Sequence, residues 1–289
     1  MKDEKKNSGH GKRLYHLVMV ILILVGIAAL FYPYLSTMWN GYRNRQLMSR
    51  YADHVENMES TELDRIWQEA LAYNEQHRDN NPVDPFSVEE EEYIKSHPYI
   101  DLLNPQGDGV MGELEIPKIN LRLPIFHGTG QKALERGCGH LMGTSLPTGG
   151  VGNHAVLSAH RGLPSAKLFT DLDQVEVGDQ FYLYIIDQVL AYQVDQILTV
   201  LPEDSAALAI DPDQDYVTLV TCTPYGVNTH RLLVRGHRVP YVKNEEKKAS
   251  SANPSVQYGM TEKIFFTGLL ALAAILVVMV LAFHLSRKK

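Results

Sequence analysis

Both ends of the chain carry apolar runs long enough to fix its relation to a membrane. Residues 17–35 begin LVMVILILVGIAALF, and the run IFFTGLLALAAILVVMVLAF at residues 264–283 has no charged residue. A helix of about 20 apolar residues spans the hydrocarbon core of a bilayer. The sequence therefore predicts transmembrane helices at residues 17–35 and 263–284, with the rest of the fold between them.

The flanking charges predict the orientation of these two helices. Residues 1–16 and 285–289 are short basic tails. Basic residues beside a membrane span stay on the cytoplasmic side. We expect a multi-pass cell-membrane protein with both termini cytoplasmic and residues 36–262 extracellular. The first run could instead be a signal sequence, but no small-residue cleavage site follows it, which favours an uncleaved anchor.

The predicted extracellular segment is strongly acidic. Of 27 Lys and Arg and 34 Asp and Glu, five basic and two acidic residues precede residue 36, and four basic residues follow residue 262. This leaves 18 basic residues against 32 acidic ones. Such a balance argues against nucleic acid as a partner and against a polybasic lipid-binding surface.

Within this segment the sequence pattern changes near residue 109. Residues 36–108 predict two helices followed by an irregular loop rich in Asn and Pro. Residues 109–242 predict many short strands separated by Gly, Pro and Asp, which is typical of a closed β-barrel. Residues 243–262 are polar and predict a linker to the second span. The predicted fold class is therefore mainly β, with N-terminal helices, flanked by two transmembrane helices.

Three residues stand where strands end and could share one site. Cys222 closes the strand of YVTLVTCTPYGVNTHR, Arg231 opens the next strand, and His160 closes the strand of HAVLSAH. A cationic neighbour favours the nucleophilic thiolate, and a histidine can carry protons to a leaving amine. Arginine can stabilise a developing oxyanion while it stays charged. The pattern predicts a Cys–His–Arg site.

Several alternatives compete with this interpretation. Arg235 is the rival to Arg231, although it lies farther from the turn. Cys138, between glycines, reads as a small packed apolar residue, but sequence alone leaves a bridge between Cys138 and Cys222 open. The histidines lack metal-ligand spacing, so we expect no metal and no cofactor.

The combined motifs resemble those of a known enzyme family. TLVTCTPYGVNTHRLLVRG, HAVLSAHRGLPSAKLFTDLD, LEIPKINLRLPIFHGT and GHLMGTSLPTGG are similar to segments of the class C, or pilin-polymerising, sortases, over about residues 84–240. The resemblance implies a sortase-type closed β-barrel. It also implies a cysteine transpeptidase in which Cys222 is the nucleophile, His160 the general acid/base and Arg231 the substrate- and oxyanion-stabilising residue.

The same resemblance implies a substrate, partners and a lid. Such enzymes cleave an LPxTG-like sorting signal through a thioacyl-enzyme and join it to a lysine amine of another pilin subunit. The second predicted span and the Asp84-Pro85-Phe86 segment resemble class C features. In that family the lid aspartate faces the catalytic arginine, and its aromatic residue covers the cysteine. The implied lid residues here are Asp84, opposite Arg231, and Phe86.

Two other functions remain open from the sequence. A sortase that anchors surface proteins to cell-wall peptidoglycan would use the same site with a different amine. A membrane-tethered binding barrel with an inert cysteine is the non-enzymatic alternative.

Overall fold

The first element is a helix that continues from the apolar run into the extracellular segment. The computed structural model describes residues 8–77, Phe86 and residues 98–243. Helix α1 runs from Ser8 to Glu56 and passes through Pro33. From Val18 onward it is long and apolar enough to cross a membrane. The first helix predicted after the anchor is therefore not separate, because it continues the anchor helix itself.

Several predictions fall on the residues outside these ranges. Asp84, most of the linker and the span at residues 263–284 lie outside the described residues. Every element below belongs to the compact unit Met1–Tyr241.

Helix α2, Ser60–Gln76, is short and amphipathic. It buries Ile66 and Ala70, whose spacing of four residues puts them on one face. The buried Asn74 joins this helix to the barrel, because its amide donates to the Leu146 carbonyl and its oxygen accepts from the Leu146 amide. The helix packs as an extra layer on one side of the barrel.

Within the described residues, eight strands close into a barrel in the order β1-β2-β3-β4-β7-β8-β6-β5. The strands are β1 Val110–Ile116, β2 Leu121–His127, β3 Cys138–His140, β4 Asn153–Ser158, β5 Gln180–Ile185, β6 Gln188–Val200, β7 Asp215–Thr223 and β8 His230–Val239. The pairs β2–β3 and β4–β7 are parallel and the remaining pairs are antiparallel. The predicted mainly β, closed-barrel fold is confirmed.

Turn chemistry explains where the strands stop. Between β1 and β2, Pro117–Ile119 form one 3-10 turn, and Asn120 then adopts φ 48°, a left-handed conformation that asparagine tolerates. Gly112 on β1 lies so close to β5 that an added Cβ would stand 2.2 Å from the Tyr184 carbonyl oxygen. Only glycine allows this approach of the two backbones.

Alternation along the strands divides the apolar residues between two clusters. On β7, Val217 and Leu219 belong to the large cluster of the barrel interior. Val220 belongs to a second, smaller cluster with Val156 of β4 and Leu233 of β8. Because successive strand residues point to opposite faces, this second cluster marks the outer face of β4, β7 and β8. We call this face the outer groove.

Candidate active site

Strand register brings Cys222 and Arg231 together. The antiparallel ladder of β7 and β8 pairs Val220 with Leu233 and Cys222 with Arg231. Val220 and Leu233 belong to the outer cluster, so the pair two positions further along the ladder lies on the same face. Directly opposed residues in an antiparallel pair have Cβ atoms about 4.5–5.5 Å apart. The thiol and the guanidinium are therefore cross-strand neighbours in the outer groove.

His160 reaches the same level through the parallel pair β4–β7. Ser158 pairs with Val220, and the Ala159 amide donates to the Val220 carbonyl at 3.2 Å. His160 lies two residues beyond the end of β4, and extending this register by two positions brings it level with Cys222. The carboxyl ends of two parallel strands meet at one edge of a sheet, which is why residues 62 positions apart converge. We call His160, Cys222 and Arg231 the candidate row.

Two side-chain bridges hold the ends of β4 and β7 beneath this row. The Thr221 hydroxyl donates to the Ala159 carbonyl at 2.8 Å. The Arg161 guanidinium donates to the Thr223 hydroxyl at 3.1 Å and forms an ion pair with Asp173. Residues adjacent to His160 are thus tied to residues adjacent to Cys222. Sequence reasoning missed Arg161; the only signal was an arginine directly after the candidate histidine.

Phe86 is the one described residue of the predicted lid segment, and it lies over the candidate row. The ring centroids of Phe86 and His160 are 5.8 Å apart, and the Arg231 guanidinium carbon lies 4.9 Å from the Phe86 ring centroid. Phe86 also packs against the outer cluster that includes Val220. The ring therefore covers the apolar floor of the groove and two of the three row residues.

The protonation state of His160 follows from its partial burial. Burial lowers the pKa of His160, and the negative charge of Glu135 opposes the shift. An ordinary histidine titrates near pH 6.5, so this imidazole is mostly neutral at neutral pH. A neutral imidazole has one unprotonated nitrogen and can accept the proton of a thiol.

Arg235, the alternative cation, has other partners. It pairs in register with Thr218, four positions from the Cys222 pair. Its guanidinium donates to both carboxylate oxygens of Asp195, at 3.0 and 3.1 Å, and stacks 4.1 Å from the Tyr216 ring centroid. Arg235 is thus committed to an ion pair away from the row.

Cys138 lies in a different environment from Cys222. It stands on β3 with no exposed surface, and its thiol donates to the Pro124 carbonyl at 3.5 Å. Burial raises the pKa of this thiol well above its usual range. The two cysteines form no disulfide with each other. The prediction that Cys138 is a packed apolar residue is confirmed.

The buried histidines serve the fold. His140 contacts the Tyr99 hydroxyl at 2.7 Å and the Ser145 carbonyl at 2.8 Å. His154 contacts the Ala209 carbonyl and the Thr218 hydroxyl. Burial lowers the pKa of each to about 4. Among the residues that the structure describes, no group of three or more His, Cys, Asp and Glu is arranged to hold a metal.

Comparisons with known proteins agree with this barrel fold. The Sortase domain family matches residues 114–239. Sortase D of Bacillus subtilis (strain 168) is 31% identical over 138 residues, which are 47% of this chain and 67% of that protein. Sortase A of Streptococcus agalactiae serotype III (strain NEM316) is 28% identical over 231 residues, 77% of this chain and 84% of that protein.

Solved structures give a closer match. The crystal structure of Streptococcus pneumoniae sortase C has a TM-score of 0.62 at 43% identity, over 68% of this chain and 97% of that one. Sortase C1 of Streptococcus agalactiae has a TM-score of 0.62 at 46% identity, over 68% and 100%. The chain belongs to the sortase family, whose members are cysteine transpeptidases. The predicted resemblance to the class C sortases is confirmed by the similarity to these two sortase C structures.

Proposed function

We propose that this protein is a pilin-polymerising sortase in which Cys222, His160 and Arg231 carry the reaction. The observation that carries the proposal is the candidate row itself. Cys222 is opposed to Arg231 across β7 and β8. His160 follows the end of the neighbouring strand β4 and contacts the same Phe86 ring as Arg231. A nucleophile, a proton carrier and a fixed cation on one surface are the parts that acyl transfer through a thioester requires.

The first half of the reaction forms a thioacyl-enzyme. The Cys222 sulfur attacks the carbonyl carbon of the threonine in an LPxTG-like sorting signal, and His160 takes up the thiol proton. Arg231 donates hydrogen bonds to the oxyanion that develops on that carbonyl. When the Thr–Gly bond breaks, His160 gives the proton to the leaving glycine amine, and the threonine carbonyl remains bound to sulfur.

The second half transfers the acyl group to a new amine. A neutral lysine amine of another pilin subunit attacks the thioester carbon and loses a proton to His160. The C–S bond breaks, and His160 returns that proton to the Cys222 sulfur. The product is an isopeptide bond between two subunits. Water competes for the same thioester, so a groove that excludes water favours the amine. The apolar outer cluster supplies such surroundings.

The lid assignment belongs to the same proposal. We assign Phe86 to a lid that must withdraw before a sorting signal can reach Cys222. Its contacts with His160 and Arg231 support this role. Asp84, which we assign to pair with Arg231, lies outside the described residues.

Pilin polymerisation is favoured over attachment to peptidoglycan by the similarities reported above. The two sortase C structures are 43% and 46% identical to this chain, whereas the sortase A relative is 28% identical. The pneumococcal structure is described in relation to pilin substrate specificity. We therefore assign a pilin lysine, rather than a wall-precursor amine, as the acceptor.

The proposed protein works from the cell membrane. Sortases are membrane-associated, and α1 is suited to span a bilayer. We assign residues 17–35 and 263–284 as spans joined by the extracellular helices, the barrel at 109–242 and the linker at 243–262. The basic tails at 1–16 and 285–289 would then be cytoplasmic.

One experiment separates these assignments. The full chain is incubated with a sorting-signal peptide, and the peptide that contains Cys222 is analysed for a covalent adduct by mass spectrometry. Purified pilin and a wall-precursor amine are then offered as competing acceptors. We expect an adduct on Cys222 that pilin resolves faster. Faster resolution of the adduct by the wall precursor would contradict pilin polymerisation. If no peptide forms an adduct, the non-enzymatic alternative, a membrane-tethered binding barrel, would be favoured instead.

A further inference from the structure

The barrel is attached to α1 from the first turn that follows the apolar run. Ser36 and Asn40 both donate to the Ser165 carbonyl, at 3.0 and 2.7 Å. One turn later, Asn44 donates to the Arg136 carbonyl at 2.8 Å. Further along, the Tyr51 hydroxyl donates to the Met111 carbonyl at 2.7 Å. These residues recur at helical spacing, so one face of α1 holds the barrel along its length.

This attachment sets the height of each barrel loop above the membrane. Ser36 directly follows Leu35, the last residue of the predicted span. Tyr51 lies 15 residues further along the helix, which is about 22 Å at 1.5 Å per residue. The loop that contains Ser165 is therefore the end of the barrel that lies nearest to the bilayer.

The other face of the same helical turns carries exposed apolar side chains. Leu35, Met38, Trp39 and Tyr42 are each about half exposed or more, with Trp39 at 62%. Their spacing of three and four residues forms one stripe that faces away from the barrel. Aromatic side chains in such positions are typical of the membrane–water interface. The interface therefore extends to the turns of α1 that hold Ser165.

The loop that contains Ser165 begins at the candidate row. Residues 161–168 follow His160, and the Phe169 amide returns to the His160 carbonyl at 3.1 Å. The neighbouring loop, residues 224–229, follows Cys222 and β7. A Cβ on Gly162 would stand 2.8 Å from the Tyr225 ring, so the two loops are in contact. We call residues 161–168 and 224–229 the rim loops.

One of the rim loops, residues 224–229, exposes two large apolar side chains beside the candidate row. Tyr225 is 59% exposed and Val227 is 63% exposed. Both flank the candidate row on the end of the barrel that α1 holds near the bilayer. An amphipathic edge of this kind can rest in the interfacial region of a membrane.

The same part of α1 gathers positive charge. Residues 36–52 contain no Asp or Glu. Arg43, Arg50 and Arg136 line one pocket of about 120 Å³ together with polar side chains. Among the described residues none of these three arginines has an acidic partner within ion-pair distance. The extracellular segment as a whole is acidic, but this local cluster of arginines is positively charged. Its charge complements that of anionic lipid head groups.

We infer that the rim loops rest on the surface of the phospholipid bilayer, so that the candidate row opens at the level of the lipid head groups, with the arginine pocket drawn to anionic lipid. This inference depends on the proposed insertion of α1. We assign the bilayer as the partner of this surface for two reasons. Helix α1 continues directly from the predicted span to the turns that hold the barrel, and the stripe of exposed apolar and aromatic residues lies on those same turns.

The test uses the full chain in lipid nanodiscs and does not depend on enzyme activity. In a Cys222→Ala background, Val227→Cys carries an environment-sensitive fluorophore, and the nanodisc lipids carry a nitroxide quencher near the head group. The matched control is Val151→Cys, because Val151 is 64% exposed and precedes β4, at the opposite end of that strand from His160. Cys138 is buried and should stay unlabelled.

We expect the label at position 227 to lose most of its emission and the label at position 151 to keep it. Equal quenching at the two positions, or quenching only at 151, would overturn the inference. Trp39 fluorescence, isolated by Trp67→Phe and quenched by brominated lipid, reports insertion of α1 separately. If Trp39 is quenched and position 227 is not, the rim contact is wrong while the anchor stands; if neither is quenched, both fail.

The arginine pocket is tested in the same nanodiscs. We expect phosphatidylglycerol to strengthen quenching at position 227 relative to phosphatidylcholine, and Arg136→Gln to remove this difference. Arg65→Gln on α2, whose arginine is paired with Glu62 and Glu69, should leave it unchanged. A response to inorganic phosphate without any dependence on lipid charge would overturn the lipid assignment for the pocket.

Discussion

Cys138 and Cys222 are thiols on strands of one barrel, and their surroundings differ in almost every respect. Cys138 is enclosed in the interior, and burial raises the pKa of its thiol. Cys222 is partly exposed at the end of β7, and its cross-strand partner is Arg231. A thiolate is stabilised by a nearby cation and opposed by apolar burial. The residue type therefore says little, and the face of the strand decides which sulfur can react.

The same contrast holds for the two faces of β4, β7 and β8. The inward face contributes Val217, Leu219 and Val234 to the large core, where close packing stabilises the fold. The outward face has a small apolar floor and the candidate row at its end. Removing a row residue should therefore affect catalysis far more than stability.

The largest expected effect compares the two thiols directly. Cys222→Ala should abolish both the thioacyl adduct and polymer formation, because no other described side chain in the row is a comparable nucleophile. Cys138→Ala should leave both reactions nearly intact and lower the free energy of unfolding by about 1 kcal/mol. Adduct mass and polymer ladders measure the first effect, and urea unfolding measures the second. An adduct that persists in the Cys222→Ala protein would refute the contrast.

The next effect compares the two arginines of β8. Arg231→Lys should lower kcat/KM by about 10²–10³-fold, the usual loss when one oxyanion donor is removed, because an ammonium does not reproduce the planar fork. Arg235→Lys should change kcat/KM little, since that side chain is bound to Asp195. Peptide cleavage kinetics for both variants check this. Equal losses of kcat/KM in the two variants would mean that Arg231 has no specific role as an oxyanion donor.

Much of this arrangement could be predicted from the sequence, for identifiable reasons. The strands β5 to β8 have long alternating or β-branched segments bounded by turn residues. The sequence therefore predicts both these strands and the strand ends that carry Cys222 and Arg231. Strand β3 was missed because three residues give no periodicity. The continuation of α1 through Pro33 was also missed, since proline normally interrupts a helix.

The parts of the site that escaped prediction depend on tertiary contacts. Nothing in the sequence shows that Arg161 reaches Thr223, because this bridge exists only once β4 and β7 lie side by side. The N-cap of α2 is Glu59, whose side chain makes no hydrogen bond to the helix end. The packing of α2 on the barrel, rather than a local cap, holds that helix.

A third prediction compares the buried His154 with an exposed histidine. Burial lowers the pKa of His154 to about 4, whereas an unfolded chain binds this proton near pH 6.5. Between these values the unfolded state binds more protons. The free energy of unfolding should therefore decrease as the pH is lowered from about 6.5 towards 4, by up to about 1.4 kcal/mol per pH unit for this group.

Urea unfolding of the full chain in non-ionic detergent at pH 7, 6 and 5 measures this slope. His154→Gln should make the slope shallower, even though the loss of its hydrogen bonds lowers stability at pH 7. His54→Gln, on the exposed part of α1, should leave the slope as it is. A slope unaffected by His154→Gln would show that other groups dominate the acid response.

The smallest expected effect concerns Phe86, which is in contact with the row rather than part of it. Phe86→Ala should raise the rate at which a thiol reagent modifies Cys222 by about fivefold, because a ring over an arginine at a partly exposed site is worth about 1 kcal/mol. Tyr216→Ala is the matched control, since it removes a ring from over Arg235, 4.1 Å from the ring centroid, at the far end of the groove. That variant should label at the wild-type rate. Equal acceleration in both variants would mean that the outer groove loosens as a whole, whereas acceleration by Phe86→Ala alone would mean that this ring governs access to the thiol.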